Sequence, residues 1–260
     1  MSEAAPCKTV GHAVGAGTVQ LSSTITVLNG RHGSEVTMIS IGEKKISVVG
    51  RGKTVSVIAT NSLSISSTTL FSISSGQLEV GHVGIDHNSM RSPSPSVFVV
   101  SVGSGTLSLE DVVIDSSTSG GSGISASVFE VMLRQLKMID VEIENMKISQ
   151  PLFTEPSSAG SSSGESVLAN LTIRNVNRTE GDGVVMAKSV KGVETFVVWN
   201  TTMEECGCKK GNGGGIKIWG TILSFMKKTT ICSTPFPQPY HEKSFILMSK
   251  NIGNFLKLIN

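Results

Sequence analysis

Asp86, Asp115 and Glu144 recur at steps of 29 residues, and the same position continues as Arg174 and Glu204 at steps of 30. Carboxylates spaced so regularly can gather only if the chain returns to the same place once per step. On adjacent parallel strands they would stand about 4.7–4.9 Å apart. At that distance they repel and raise each other's pKa unless a cation or a basic group lies among them. Such a column could hold Ca²⁺, a cation that takes several oxygen ligands, with weak affinity on the order of 10⁻⁴–10⁻³ M because no loop is evident to wrap it. The same residues also read as a hydrated acidic stripe on an exposed sheet, the commoner fate of surface carboxylates.

Other residue types with chemical potential carry less. Asn170, Asn177 and Asn200 each begin an Asn-x-Ser/Thr sequon. Asn170 and Asn200 fall where the chain must bend, so Asn177 is the expected glycan acceptor if the chain is secreted. Cys7, Cys206, Cys208 and Cys232 include one Cys-x-Cys pair but no second pair and no His at ligand spacing, so no metal site is expected from them. Gly52-Lys53-Thr54 resembles the end of a phosphate-binding loop, but Ser47 stands where the earlier glycine belongs and a strand follows, with no helix N-terminus to receive a phosphate.

The elements that would position these residues are written in the repeat. LSLEDVVIDS (Leu107 to Ser116) aligns with LEVGHVGIDH, LKMIDVEIEN, SVLANLTIRN and FVVWNTTMEE, which begin at Leu78, Leu136, Ser166 and Phe196. One polar position runs through all five as His82, Asp111, Asp140, Asn170 and Asn200. A second marker, an aliphatic residue then Phe, precedes four of them at Leu70-Phe71, Val97-Phe98, Val128-Phe129 and Leu152-Phe153. Apolar residues alternate on either side of the polar position, the period of a half-buried strand. The phase slips there, because Leu109 and Val112 are three apart. A straight strand cannot turn both inward, so the chain must bend at Glu110-Asp111, where Asp and Asn tolerate unusual backbone angles. Strand, bend, strand and turn at a period of about 29 residues describe one coil of a parallel β-solenoid. Propeller blades need about 40 residues or more, and helical repeats need a 3.6-residue period.

These motifs carry a resemblance. Leu168-Ala-Asn-Leu-Thr-Ile-Arg-Asn175 resembles a coil of the pectin-lyase-like superfamily, and the stretch from Thr24 to Ile58 resembles that superfamily's opening coils. Gly211 to Ile216, GNGGGI, is similar to the glycine motif of polymorphic outer-membrane proteins and related surface repeat proteins; Phe196 to Asn200 matches their companion Phe-x-x-Asn only with one residue too many. The resemblance covers roughly residues 18 to 220. It implies an all-β fold, a right-handed single-stranded parallel β-helix. It also implies a superfold that hosts enzymes, adhesins and inert scaffolds alike.

The superfamily's catalytic sets are not intact in this chain. Arg91-Ser-Pro93 begins a lyase-type Arg-x-Pro-x-x-Arg, but Ser96 stands where the second arginine belongs. Val83-Gly-Ile-Asp-His87 resembles a Val-Trp-Ile-Asp-His signature with Gly84 in place of Trp. The clustered acids of polygalacturonases and the Gln-Asp-Thr segment of pectin methylesterases are missing as motifs. No catalytic residue is assigned. The expected function is a non-catalytic scaffold or adhesin-type surface protein offering flat polar faces to carbohydrate or protein. The alternative is a diverged carbohydrate-active enzyme acting on an acidic polysaccharide.

Composition sets the outer bounds. With 260 residues and 38% apolar content, one elongated domain can bury a continuous core. A net charge of +2 makes no case for nucleic acid, and no apolar run approaches the roughly 18 residues of a membrane helix. The N-terminus has neither the basic start nor the apolar core of a signal peptide. A cytoplasmic protein, unconventional export and a truncated N-terminus all fit that, while the resemblance implies the cell surface or exterior. The expected organisation is an irregular segment over 1–17, the β-helix over 18–220 and a tail over 221–260. In the tail, Phe245, Met248, Ile252, Phe255, Leu256 and Ile259 fall at helical spacing, as for a cap over the last coil. Ser- and Gly-rich insertions at Ser89 to Ser96, Ser117 to Ala126 and Thr154 to Glu165 read as loops along one side.

Overall fold

The computed structural model describes residues 9–15, 22–32, 39–59, 69–86, 98–102, 105–116, 128–130, 136–154, 165–179, 185–188, 194–208, 216–219, 222–227 and 230–232. They form a parallel β-solenoid. Strand pairing runs in sequence order along the axis: Ser22–Thr26, Lys45–Val49, Gln77–Asp86, Thr106–Asp115 and Leu136–Ile148 lie side by side, then Glu165–Ala169, Glu194–Trp199 and Ile222–Lys227. A second, five-stranded sheet stacks Ile39–Ile41, Thr69–Ile73, Phe98–Val102, Phe129–Glu130 and Phe153–Thr154 in parallel. The side-chain partners along the corner from His82 to Asn200 are 29 or 30 residues apart, as the repeat requires.

The core follows from the alternation. Leu107, Leu109, Val112 and Ile114 are all buried, and each pairs in register with an apolar residue on both sides, Val112 between Val83 and Val141 and Ile114 between Ile85 and Ile143. Each inward side chain contributes at most about 1.5–3 kcal/mol. The phase slip is resolved as expected. His82, Asp111, Asp140, Asn170 and Asn200 have φ between 47° and 55°, the left-handed conformation that turns the chain and returns the next apolar residue to the interior.

A second corner follows five residues later. Asn145, Asn175 and Glu205 also have positive φ, between 51° and 56°. The same slip marks them, since Ile143 and Met146, Ile173 and Val176, and Met203 and Cys206 are each three apart and all buried. The aliphatic-Phe marker is only partly a register mark. Phe71, Phe129 and Phe153 fall in one column, but Val100 holds that place in the intervening coil and Phe98 lies opposite Thr69.

Two boundaries differ from expectation. Within the segment expected to be irregular, Val10–Gly15 is a short helix capped by Thr9, whose Oγ1 accepts from the His12 amide at 3.0 Å. Its Val10 and Val14 are buried in the core, and the helix packs against Ile39–Ile41. Past residue 220, Ile222–Lys227 and Thr230–Cys232 pair in parallel with Glu194–Trp199 and Thr202–Glu204, so the solenoid runs on into the expected tail. The candidate C-terminal helix, Arg91-Ser-Pro93, Cys7 and most of the three Ser-rich insertions lie outside the described residues.

Candidate functional site

The first corner builds a ladder of side chains along the axis. Asn200 Nδ2 donates to Asn170 Oδ1 at 2.8 Å, and Asn170 Nδ2 donates to Asp140 Oδ1 at 2.7 Å. Upstream, His82 Nδ1 and Asp111 Oδ2 are 2.8 Å apart. Between Asp111 and Asp140, two carboxylates adjoin and neither can donate when ionised.

Lys53 meets the Asp111 side of that break, and the way it arrives is local. Val49 pairs with Gly81 and Val57 with Gly84, so residues 50–56 span what residues 82–83 span in the next coil. The surplus forms an arm. Gly52 N donates to His82 O at 3.0 Å and Ser56 N to Gly52 O at 2.9 Å. Buried Ser56 ties the arm's base, its Oγ donating to Val27 O and accepting from Arg51 N, both at 3.0 Å. The arm lies directly over Gly84, where a Cβ would stand 2.4 Å from Lys53 O. Gly84, which departs from the lyase-type signature, is thus the residue that lets the arm cross. Lys53 Nζ then reaches Glu142 Oε1 at 2.9 Å and Asp111 Oδ1 at 3.2 Å.

Downstream of the arm runs an open groove of about 400 Å³, lined by Lys53, Asp140, Glu142, Asn170, Thr172 and Asn200. Glu142 and Thr172 are register partners on adjacent strands, two residues beyond the corner. The lining is therefore the same two positions of the coil, repeated along the axis and headed by an ammonium. Trp199, 41% exposed, precedes Asn200 at the far end.

Electrostatics in the groove follow from these contacts. Hydrogen bonding to Glu142, with a further contribution from Asp111, holds the Lys53 ammonium above its ordinary range despite some desolvation. Hydrogen bonding from His82, then from Lys53, holds the Asp111 carboxyl below its ordinary range. A depressed folded-state pKa contributes stability that is present above the unfolded value and lost as pH falls through the folded one. Below about pH 4 the wild type should therefore lose stability more steeply than Asp111→Asn. Thermal melts from pH 5 to pH 2.5 measure this, and parallel acid limbs for the two proteins would refute it.

The carboxylate column is present in register, with Asp115 between Asp86 and Glu144 and Arg174 beyond Glu144. Its charges are compensated from within. Asp86 is buried rather than outward and free, because Arg31 from the first coils closes over it in an ion pair. Asp115 Oδ1 accepts from Asn145 Nδ2 at 2.9 Å. Arg174 bridges Glu144 at 2.7 Å and Glu204 at 3.1 Å. Among the described residues no three His, Cys, Asp or Glu side chains converge as a metal site. The basic group that the spacing demands is supplied by Arg31 and Arg174.

Asn177, the expected glycan acceptor, is half-buried and donates its Nδ2 to Asn175 Oδ1 at 3.1 Å. Asn170 and Asn200 are committed to the ladder, as their place at the bend implied. Burial pushes the Cys206 thiol up to about 11, which leaves it protonated and unreactive at neutral pH. Lys53 is what motif reading passed over. Its signal was the lengthened bend between Val49 and Val57, visible as a break in the period rather than as a motif. No known family model and no curated protein matches the chain in sequence.

Proposed function

We propose that this chain is a non-catalytic β-solenoid scaffold of the surface or adhesin type, of pectin-lyase-like architecture, whose polar groove binds a carbohydrate chain. The observation that carries the reading is the groove lining: carboxylate, amide and hydroxyl groups repeating at the coil spacing beside one ammonium. Pockets for small metabolites are mostly apolar and enclosed. An open groove of repeating donors and acceptors suits a ligand that itself repeats hydroxyl groups. The exposed indole of Trp199 adds an amphipathic ring of the kind enriched at binding surfaces.

Catalysis is not part of the proposal. A general acid at neutral pH needs a carboxyl pKa raised toward 7, whereas Asp111 is displaced the other way and Glu142 is bonded to Lys53. The test is a glycan array followed by titration calorimetry on the hits. Thr172→Val should weaken binding by about three- to tenfold, the loss of one hydrogen bond, without changing the melting temperature. Polygalacturonate incubated with the protein should yield no unsaturated product. Failure to retain any glycan at millimolar concentration would reject the groove as a saccharide site, and turnover of polygalacturonate would reject the non-catalytic part.

A further inference from the structure

The corner ladder has a wrong-looking residue in it. Position 140 has φ 55°, a conformation asparagine accepts at least as readily as aspartate. An asparagine there could still accept from Asn170, and its own amide would donate to Asp111, joining the two halves of the ladder. Asp111, already bonded to His82 and Lys53, would then serve as the terminus. On fold grounds alone asparagine is the better residue. What aspartate keeps instead is a negative charge whose Oδ1 takes the Asn170 amide and whose carboxylate lines the groove beside Glu142. Residues that break a local rule without structural gain are the ones to expect at functional sites.

The charge balance says which ligand such a carboxylate suits. Lys53 divides one positive charge between Asp111 and Glu142, so with Asp140 the head of the groove carries a net negative charge. A uronate polymer would bring carboxylates against it; an amine-bearing sugar would bring ammonium and hydroxyl donors to Asp140, which has no ion-pair partner among the described residues. Resting on the saccharide-groove reading above, we infer that Asp140 is the specificity-determining residue of the groove and that its ligand is an amino sugar chain.

The experiment compares three oligomers by calorimetry on the intact protein: a β-linked glucosamine hexamer, its N-acetylated counterpart and a galacturonate hexamer. Wild type should bind the glucosamine hexamer at least about tenfold more tightly than either other oligomer, as expected for one charge-assisted hydrogen bond. Asp140→Asn should erase that preference while raising the melting temperature by about 2–4 °C. The opposed signs separate a binding role from a structural one. Asp140→Asn binding like wild type, or the galacturonate hexamer binding best, would overturn the assignment of Asp140 and leave the saccharide groove standing. A failure of all three to bind would overturn both.

Discussion

Truncating Phe129 to alanine should cost the fold about 3–5 kcal/mol. Its ring is fully buried and stacks on Phe153 with centroids 5.3 Å apart and planes at 14°. On its other side its register partner is Val100. Among the described residues Phe129–Glu130 pairs with Phe98–Val102 and Phe153–Thr154, the strands before and after it, which leaves little surrounding structure able to collapse into the void. Urea denaturation followed by circular dichroism gives the number. A loss below about 1 kcal/mol, the range of a surface substitution, would mean that the second sheet contributes little to the core.

Asn170→Ala comes next, at about 2–5 kcal/mol, and it is separable into parts. The side chain donates to Asp140 and accepts from Asn200, two bonds worth about 0.5–1.5 kcal/mol each. Alanine must also adopt a φ of 53°, a left-handed conformation costing about 1–2 kcal/mol for a residue with a Cβ. Asn170→Gly removes the bonds but not the conformational freedom, so it should be the milder variant by about that second amount. Equal losses for alanine and glycine would show that the corner imposes no backbone cost and that the ladder bonds carry everything.

The coil was legible because its two constraints are both local. Alternation around Leu107 to Ile114 states which side chains turn inward, and the slip at Asp111 states where the chain must turn. The second corner obeys the same rule, yet it is harder to see. Its residues change type from Asn145 and Asn175 to Glu205, and the strand Leu136–Ile148 passes through it without a break. The carboxylate column was legible as a register, since one period sets it. Its neutralisation was not, because Arg31 belongs to an early coil outside the regular repeat and Arg174 reads as an exception within the column. Lys53 was hidden for a related reason. Its arm is an insertion, so it lies where the period fails, and the three coils it serves lie up to 89 residues away in sequence.

The ladders give this otherwise uniform rod an electrical direction. In both corners each amide donates toward the N-terminal end, Asn200 to Asn170 to Asp140 in one and Asn175 to Asn145 to Asp115 in the other. Their dipoles therefore add, and each bond polarises the next, by about 10–30%. The runs end on Asp140 and Asp115, and in the first corner Asp111 would take over that end place if position 140 were asparagine. A sheet of parallel strands and two files of amides thus distinguish head from tail. The coils before Asp140 and Asp115 therefore meet carboxylates, while the strands that follow Asn200, Ile222–Lys227 and Thr230–Cys232, stack beyond the opposite end of the first file.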